Sequence, residues 1–117
     1  MKVILDTNFL MAVSQFKVDI FGQLAGEDIC TIEPVIRELN GLSNGKSKDS
    51  TAAKVALTLI KSKGLKVLES KEEADAALIS YSKKGYVIAT QDQILQDKIK
   101  ALGGKSIFIR QKKYVIL

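Results

Sequence analysis

The stretch MKVILDTNFL (residues 1–10) is the most informative about the fold. In it, an apolar run of strand length, Val3–Leu5, ends directly on a carboxylate, Asp6. Strands that are buried on both faces of a sheet read as continuous apolar runs of this kind. A strand that only has to end could do so on Gly, Pro or Ser, whereas an acid at that point has to be solvated, capped or bound. The role of Asp6 therefore depends on where the other acids of the chain lie.

The length and composition are those of one globular domain. The 117 residues are 46% hydrophobic and 26% charged, which is ordinary for a domain with its own core, so we expect a single domain over residues 1–117. No apolar run approaches the roughly 20 residues of a membrane helix, and the stretch before Asp6 is too short for a secretory signal. We therefore expect a cytoplasmic protein without a membrane partner.

Residue types that are rare or missing exclude several chemistries. The single cysteine, Cys30, lies in an apolar run and has no internal disulfide partner, so we expect a buried thiol in a reducing compartment. The chain has no histidine, which excludes His-based triads, His acid–base pairs and His zinc sites from this chain alone. A net charge of +5 favours a polyanionic partner.

Strand and helix patterns alternate along the chain. Apolar runs of strand length occur at 2–5, 28–32, 65–68, 86–89 and 106–109. Apolar residues at helical spacing lie between them, at 53–60, 74–81 and 95–102. Pro34 opens a further helix in PVIRELNGL (34–42), Gly64, Gly85 and Gly103 stand where helices end, and SNGKSKD (43–49) is loop-like. The alternation predicts βαβ units, and hence a parallel sheet flanked by helices.

Four acids are predicted to lie at one edge of this sheet, because each follows a strand at its carboxyl end. They are Asp6, Glu38, Asp75 and Asp92. This edge is where open α/β sheets bind ligands, and carboxylates gathered there repel one another unless a cation lies between them. Oxygen ligands without His or Cys suit Mg²⁺ or Mn²⁺. Such a cluster predicts metal-dependent cleavage of phosphodiesters.

Each acid also has an alternative reading. Asp92 precedes a helix and could be its N-cap, and Glu38 could be a solvated surface acid. Glu73 is left out of the site because Ser70 and Glu73 fit the S-x-x-E capping box. Asp75 lies beside the apolar positions of its helix, and no capping role is open to it.

The chain resembles the PIN-domain ribonucleases in three successive motifs: VILDTNFL (3–10), PVIRELNGL (34–42) and EEADAALISYSKKGYVIATQDQIL (72–95). The family pattern falls on Asp6, Glu38, Asp75 and Asp92, the four acids already selected, with Thr90 and Asn8 as supporting residues. The resemblance implies a three-layer α/β/α sandwich whose parallel sheet has strand order 3-2-1-4-5. It also implies a Mg²⁺- or Mn²⁺-dependent endoribonuclease that cuts single-stranded or structured RNA.

The tail KSIFIRQKKYVIL (105–117) is similar to that of ribosomal-RNA-processing PIN proteins, so we expect a role in that processing. The expected partners are RNA, with pre-rRNA one candidate, and a second copy of the chain or proteins of a processing complex. Toxin-type PIN ribonucleases of toxin–antitoxin pairs carry the same acids, and a non-catalytic RNA-binding scaffold is a further alternative. The residues expected to contact RNA are Lys46, Lys48, Arg110, Lys112 and Lys113.

A phosphotransfer role for Asp6 is a rival interpretation from another class of enzyme. A phosphatase of that kind would have a second Asp at position 8, where Asn8 stands. A response regulator would have an acidic pair before the first-strand Asp and a late Lys after a strand. The sequence supports neither of these.

Overall fold

Six strands form one sheet in the order β3-β2-β1-β4-β5-β6. The computed structural model describes residues 1–116, so the last residue of the predicted domain, Leu117, lies outside the described residues. The strands are β1 (Lys2–Leu5), β2 (Asp28–Ile32), β3 (Lys66–Leu68), β4 (Val87–Ala89), β5 (Ser106–Arg110) and β6 (Tyr114–Ile116). The first five strands are parallel to one another, as predicted, and β6 returns antiparallel to β5.

Helices fill the connections between the five parallel strands. They are α1 (Thr7–Phe16), α2 (Ile20–Gln23), α3 (Glu33–Leu42), α4 (Lys48–Ser62), α5 (Ala74–Ser82) and α6 (Gln93–Ala101). Helices α1, α3 and α4 pack on one another, and α5 packs on α6. Since βαβ crossovers are right-handed, the reversal of strand order beside β1 puts the two groups on opposite faces of the sheet. The molecule is therefore the expected three-layer α/β/α sandwich.

The two central strands supply the core of the sheet. Every residue of Val3–Leu5 in β1 is fully buried, and Val87–Ala89 in β4 is at most 6% exposed. Cys30 is a buried free thiol, as predicted, and burial raises its pKa to about 11. The predicted helix ends at Gly64 and Gly85 have backbone φ of 61° and 95°, the left-handed conformation that glycine tolerates best.

Several local predictions were wrong. No helix was predicted directly after Asp6, but Asp6 caps the ten-residue helix α1. The predicted loop 43–49 ends earlier than expected, because Ser47 caps α4 and Lys48 is its first residue. The capping box at Ser70 does not form, because α5 begins one residue after Glu73 and the Ser70 hydroxyl accepts from Glu72 N.

The sheet reverses its strand order between β1 and β4, and this switch point is the crevice where open α/β sheets bind ligands. Asp6 follows β1 there, and its backbone N–H continues the ladder to Ala89 O of β4 at 2.9 Å. Thr90 follows β4 on the other side of the crevice, and its N–H continues the ladder to Ile107 O of β5 at 3.0 Å. Among residues 1–116, no helix is both long and apolar enough to span a membrane.

Candidate active site

Asp6 is the buried acid of the switch point, with 6% of its surface exposed. Its Oδ1 accepts a hydrogen bond from Thr7 N at 2.7 Å, and its Oδ2 accepts one from the Thr90 hydroxyl at 2.7 Å. Burial raises the pKa of Asp6 from 3.8 to about 6, against the lowering effect of these two bonds, and the charges of Glu38 and Asp75 raise it further. The helix N-terminus beside Asp6 favours its ionised form.

Thr90 joins the two sides of the crevice. Its side chain is fully buried, and its hydroxyl donates to Asp6 and accepts from Asp92 N at 3.2 Å. Asn8, the second residue of α1, accepts a hydrogen bond at its Oδ1 from Gln91 N at 3.0 Å. Thr90 and Asn8, the two predicted supporting residues, thus lie in one hydrogen-bond network with Asp6.

Glu38 reaches the site from α3. Its side chain is exposed, and its Oε1 accepts from the Thr7 hydroxyl at 2.9 Å. Thr7 therefore contacts both acids, because its backbone N–H bonds Asp6 while its hydroxyl bonds Glu38. Sequence reasoning missed Thr7, although a hydroxyl residue that directly follows a strand-end acid is a readable signal.

Asp75 and Asp92 lie at the starts of two helices. Asp75 is in the first turn of α5 and is exposed, yet it is close enough to Asp6 to raise the pKa of that carboxyl. Asp92 is the N-cap of α6, as its alternative reading had it, and its Oδ1 accepts from Leu95 N at 3.2 Å. One carboxylate oxygen of Asp92 is thus used for capping, whatever else the residue does.

The four acids lie along the same edge of the sheet without forming a closed cage. Within residues 1–116, no three acidic, cysteine or histidine side chains come together closely enough to ligate one ion. The donors available are carboxylate oxygens, which suit a hard divalent cation. Mg²⁺ in particular keeps several waters and commonly takes only one or two carboxylates from the protein, so an open set of acids fits it.

The basic residues predicted to contact RNA are all exposed: Lys46, Lys48, Arg110, Lys112 and Lys113. Arg110, Lys112 and Lys113 lie at the turn that follows the carboxyl end of β5. This turn is at the same edge of the sheet as Asp6. Lys112 Nζ lies 5.1 Å from the centroid of the Phe16 ring, and Phe16 and Lys48 line one cavity of about 470 Å³. The start of α4, the end of α1 and the β5–β6 turn therefore form one continuous surface.

The switch-point crevice, the acids of its edge and the strand order together define an open α/β domain of the PIN-like class. The chain belongs to the PIN-like domain family, since the family model described as "PIN like domain" matches residues 3–112. This agrees with the resemblance read from the three sequence motifs.

Two curated relatives are similar to nearly the whole chain. Ribonuclease VapC4 of Methanocaldococcus jannaschii is 30% identical over a 123-residue alignment that covers 97% of this chain and 93% of the relative. Ribonuclease VapC9 of Archaeoglobus fulgidus is 32% identical over 119 residues, which cover 97% of this chain and 87% of the relative.

A solved structure supports the fold independently. It is a domain of a functionally unknown protein from Methanocaldococcus jannaschii, and it superposes with a TM-score of 0.65 at 21% sequence identity. The match covers 93% of this chain and 91% of that domain. At this identity the likeness supports the fold alone.

Proposed function

We propose that this protein is a metal-dependent endoribonuclease that hydrolyses RNA phosphodiester bonds at the carboxyl edge of its sheet. The proposal rests on the burial of Asp6 at the switch point, where Glu38 and Asp75 lie near enough to raise the pKa of its carboxyl group. A buried carboxylate among like charges is costly unless a cation is bound beside it. The relatives named as ribonucleases supply the reaction class.

Asp6, Glu38, Asp75 and Asp92 are the residues that would hold Mg²⁺ or Mn²⁺. When bound, such an ion lowers the pKa of an attacking water and stabilises the charge that develops on the phosphate. Asp6 would contribute a fixed position, because Thr7 and Thr90 each hold one of its oxygens. Glu38 and Asp75, which are exposed, would contribute negative charge.

The surface around Phe16 is the proposed RNA-binding surface. Lys48 lines the same cavity as Phe16, Lys112 Nζ lies 5.1 Å from the Phe16 ring centroid, and Lys113 Nζ lies 5.8 Å from the Tyr114 ring centroid. Lysines interleaved with aromatic rings are what single-stranded RNA meets in many proteins, through phosphate contacts and base stacking. Arg110, and Lys46 in the loop before α4, would extend the positive charge of this proposed RNA-binding surface.

For the biological role we propose the toxin-type ribonuclease of a toxin–antitoxin pair. The first expectation, ribosomal-RNA processing, rested on the similarity of the tail and gains no support from the relatives, which are named as VapC ribonucleases. The VapC type corresponds to the toxin-type alternative that the acids left open. An inhibitory antitoxin is accordingly the proposed protein partner.

The proposal is tested by sequencing the ends of RNA cleaved by wild type and by Asp6→Asn, in Mn²⁺ and in chelator. Asp6→Asn keeps the size and polarity of the side chain but removes an anionic ligand, so we expect the fold to survive and metal-dependent cleavage to be lost. Glu73→Gln is the matched control, since Glu73 is an exposed acid near the same edge whose side chain makes no capping bond.

The cut sites also separate the roles. Cuts at a few positions in mature RNA support the toxin-type role, whereas cuts only at the ends of precursor ribosomal RNA would return the assignment to processing. A wild-type protein that binds RNA but cuts none of it in Mn²⁺ would contradict a catalytic function and favour the alternative of a non-catalytic RNA-binding scaffold.

A further inference from the structure

The backbone leaves the sheet after β4 in a way that frees four hydrogen-bonding groups. β4 pairs with β5 in the register Ala89 with Ile107, and the last ladder bond runs from Thr90 N to Ile107 O at 3.0 Å. In a parallel ladder of this register, the next bonds would join Ile109 N to Thr90 O and Asp92 N to Ile109 O. Neither bond is made, because the chain turns away towards α6.

Two glutamine side chains take over the broken ladder. The Gln91 amide contacts both backbone groups of Ile109, with Oε1 accepting from Ile109 N at 2.6 Å and Nε2 donating to Ile109 O at 3.2 Å. The Gln96 amide donates to Thr90 O at 3.1 Å. Asp92 N is satisfied by the Thr90 hydroxyl at 3.2 Å. All four backbone groups that lack a ladder partner therefore have a side-chain partner, as buried groups require.

Gln91 also reaches across the crevice with its backbone. Its N–H donates to Asn8 Oδ1 at 3.0 Å, so one residue is fixed to β5 by its side chain and to the start of α1 by its main chain. The residues on either side of it are Thr90, which bonds Asp6, and Asp92, which begins α6. Residues 90–92, which include the proposed site residues Thr90 and Asp92, are thus fixed through Gln91 to both β5 and α1.

We propose that Gln91 is a positioning residue of the active site, which sets where Thr90 and Asp92 stand relative to Asp6 by replacing the β4–β5 ladder with its amide. The inference rests on the proposed function, since it concerns the same site. A side chain that orients metal ligands typically changes metal affinity or activity by about 10–100-fold when it is lost. A side chain that only satisfies backbone groups would change stability and leave the site's properties intact.

The test compares wild type, Gln91→Met and Gln93→Met. Methionine matches glutamine in length and removes both polar ends of the amide. Gln93→Met is the matched control two residues along the chain, because Gln93 is exposed and, among residues 1–116, its amide hydrogen-bonds only Asp97, one turn further along α6. Mn²⁺ affinity is measured from the free-ion electron paramagnetic resonance signal, and kcat and KM are measured on RNA well below the melting temperature of each protein.

We expect Gln91→Met to weaken Mn²⁺ binding and lower kcat, each by about 10–100-fold, with KM for RNA unchanged and Gln93→Met like wild type. If Gln91→Met does not fold, Gln91→Asn serves, because its amide is one methylene too short to hold both groups of Ile109. Unchanged Mn²⁺ affinity and kcat in a variant that only melts earlier would overturn the inference. A wild type that cuts no RNA would overturn the proposed function instead, and the Mn²⁺ affinities would then decide on Gln91 alone.

Discussion

At the scale of single residues, Asp6 is subject to opposing effects. Burial and the charges of Glu38 and Asp75 disfavour its ionised form, while the hydrogen bonds from Thr7 and Thr90 favour it. The unfavourable effects are larger, because the pKa rises to about 6 from its ordinary 3.8. Without a cation, an ionised Asp6 therefore lowers the free energy of unfolding.

The pH dependence of stability follows from this shift. A carboxyl whose pKa is higher in the folded state stabilises the fold when protonated, so the stability is present below about pH 4 and declines as the pH rises towards 6. Two pKa units correspond to about 3 kcal/mol as an upper estimate. In chelator, we expect Asp6→Asn to match wild type near pH 4 and to be the more stable protein near pH 7.

Urea unfolding of both proteins across this pH range measures the difference. The comparison with Asp6→Asn isolates the contribution of Asp6, because every other ionisable group is common to both proteins. Parallel stability curves for the two proteins would mean that Asp6 is not the strained acid of the site.

At the scale of elements, the five parallel strands and four of the helices were predicted from the sequence, whereas helices α1 and α2 and strand β6 were not. The five parallel strands came from apolar runs whose neighbours are turn or helix formers. The missed helix α1 begins at Thr7-Asn8, residue types that also favour turns, and its N-cap is the acid that drew attention as a ligand. A capping residue and a site residue look the same in sequence, and only the fold distinguishes them. The sixth strand was missed because Tyr114–Ile116 is short and paired on one side only.

The β5–β6 hairpin is predicted to bind RNA through its positively charged side chains. If its cations neutralise phosphates, the logarithm of RNA affinity should fall with the logarithm of salt concentration, by roughly 0.7 per contact for single strands. Replacing Arg110, Lys112 and Lys113 by Ala should weaken binding to every RNA sequence and flatten this slope by up to about 2. Equilibrium binding in chelator at several salt concentrations measures it, with Lys61→Ala at the far end of α4 as the control. A slope that stays at the wild-type value would give the hairpin a purely structural role.

At the scale of the whole molecule, the site depends on contacts that no local pattern encodes. The bond between Thr90 and Asp6 joins residues 84 positions apart, and the sequence analysis did not predict it; what it predicted, from the shared carboxyl edge of parallel strands, was the common location of the four acids. That rule brought the acids to the same edge but could not give their spacing. Their spacing depends on side-chain conformations at the ends of four different elements. The role of Gln91 was equally hidden, because it depends on where β4 leaves the sheet.

The central claim is that the acids at the switch point bind a divalent cation, and thermal melting across a Mn²⁺ series at constant ionic strength tests it most directly. A ligand that binds only the folded state stabilises it by RT ln(1 + [L]/Kd), about 2.7 kcal/mol at a hundred times Kd. We predict that wild type and Glu73→Gln melt progressively higher as Mn²⁺ rises, while Asp6→Asn begins higher in chelator and gains less. A wild-type melting temperature that Mn²⁺ leaves unchanged, or an equal gain in Asp6→Asn, would contradict the account.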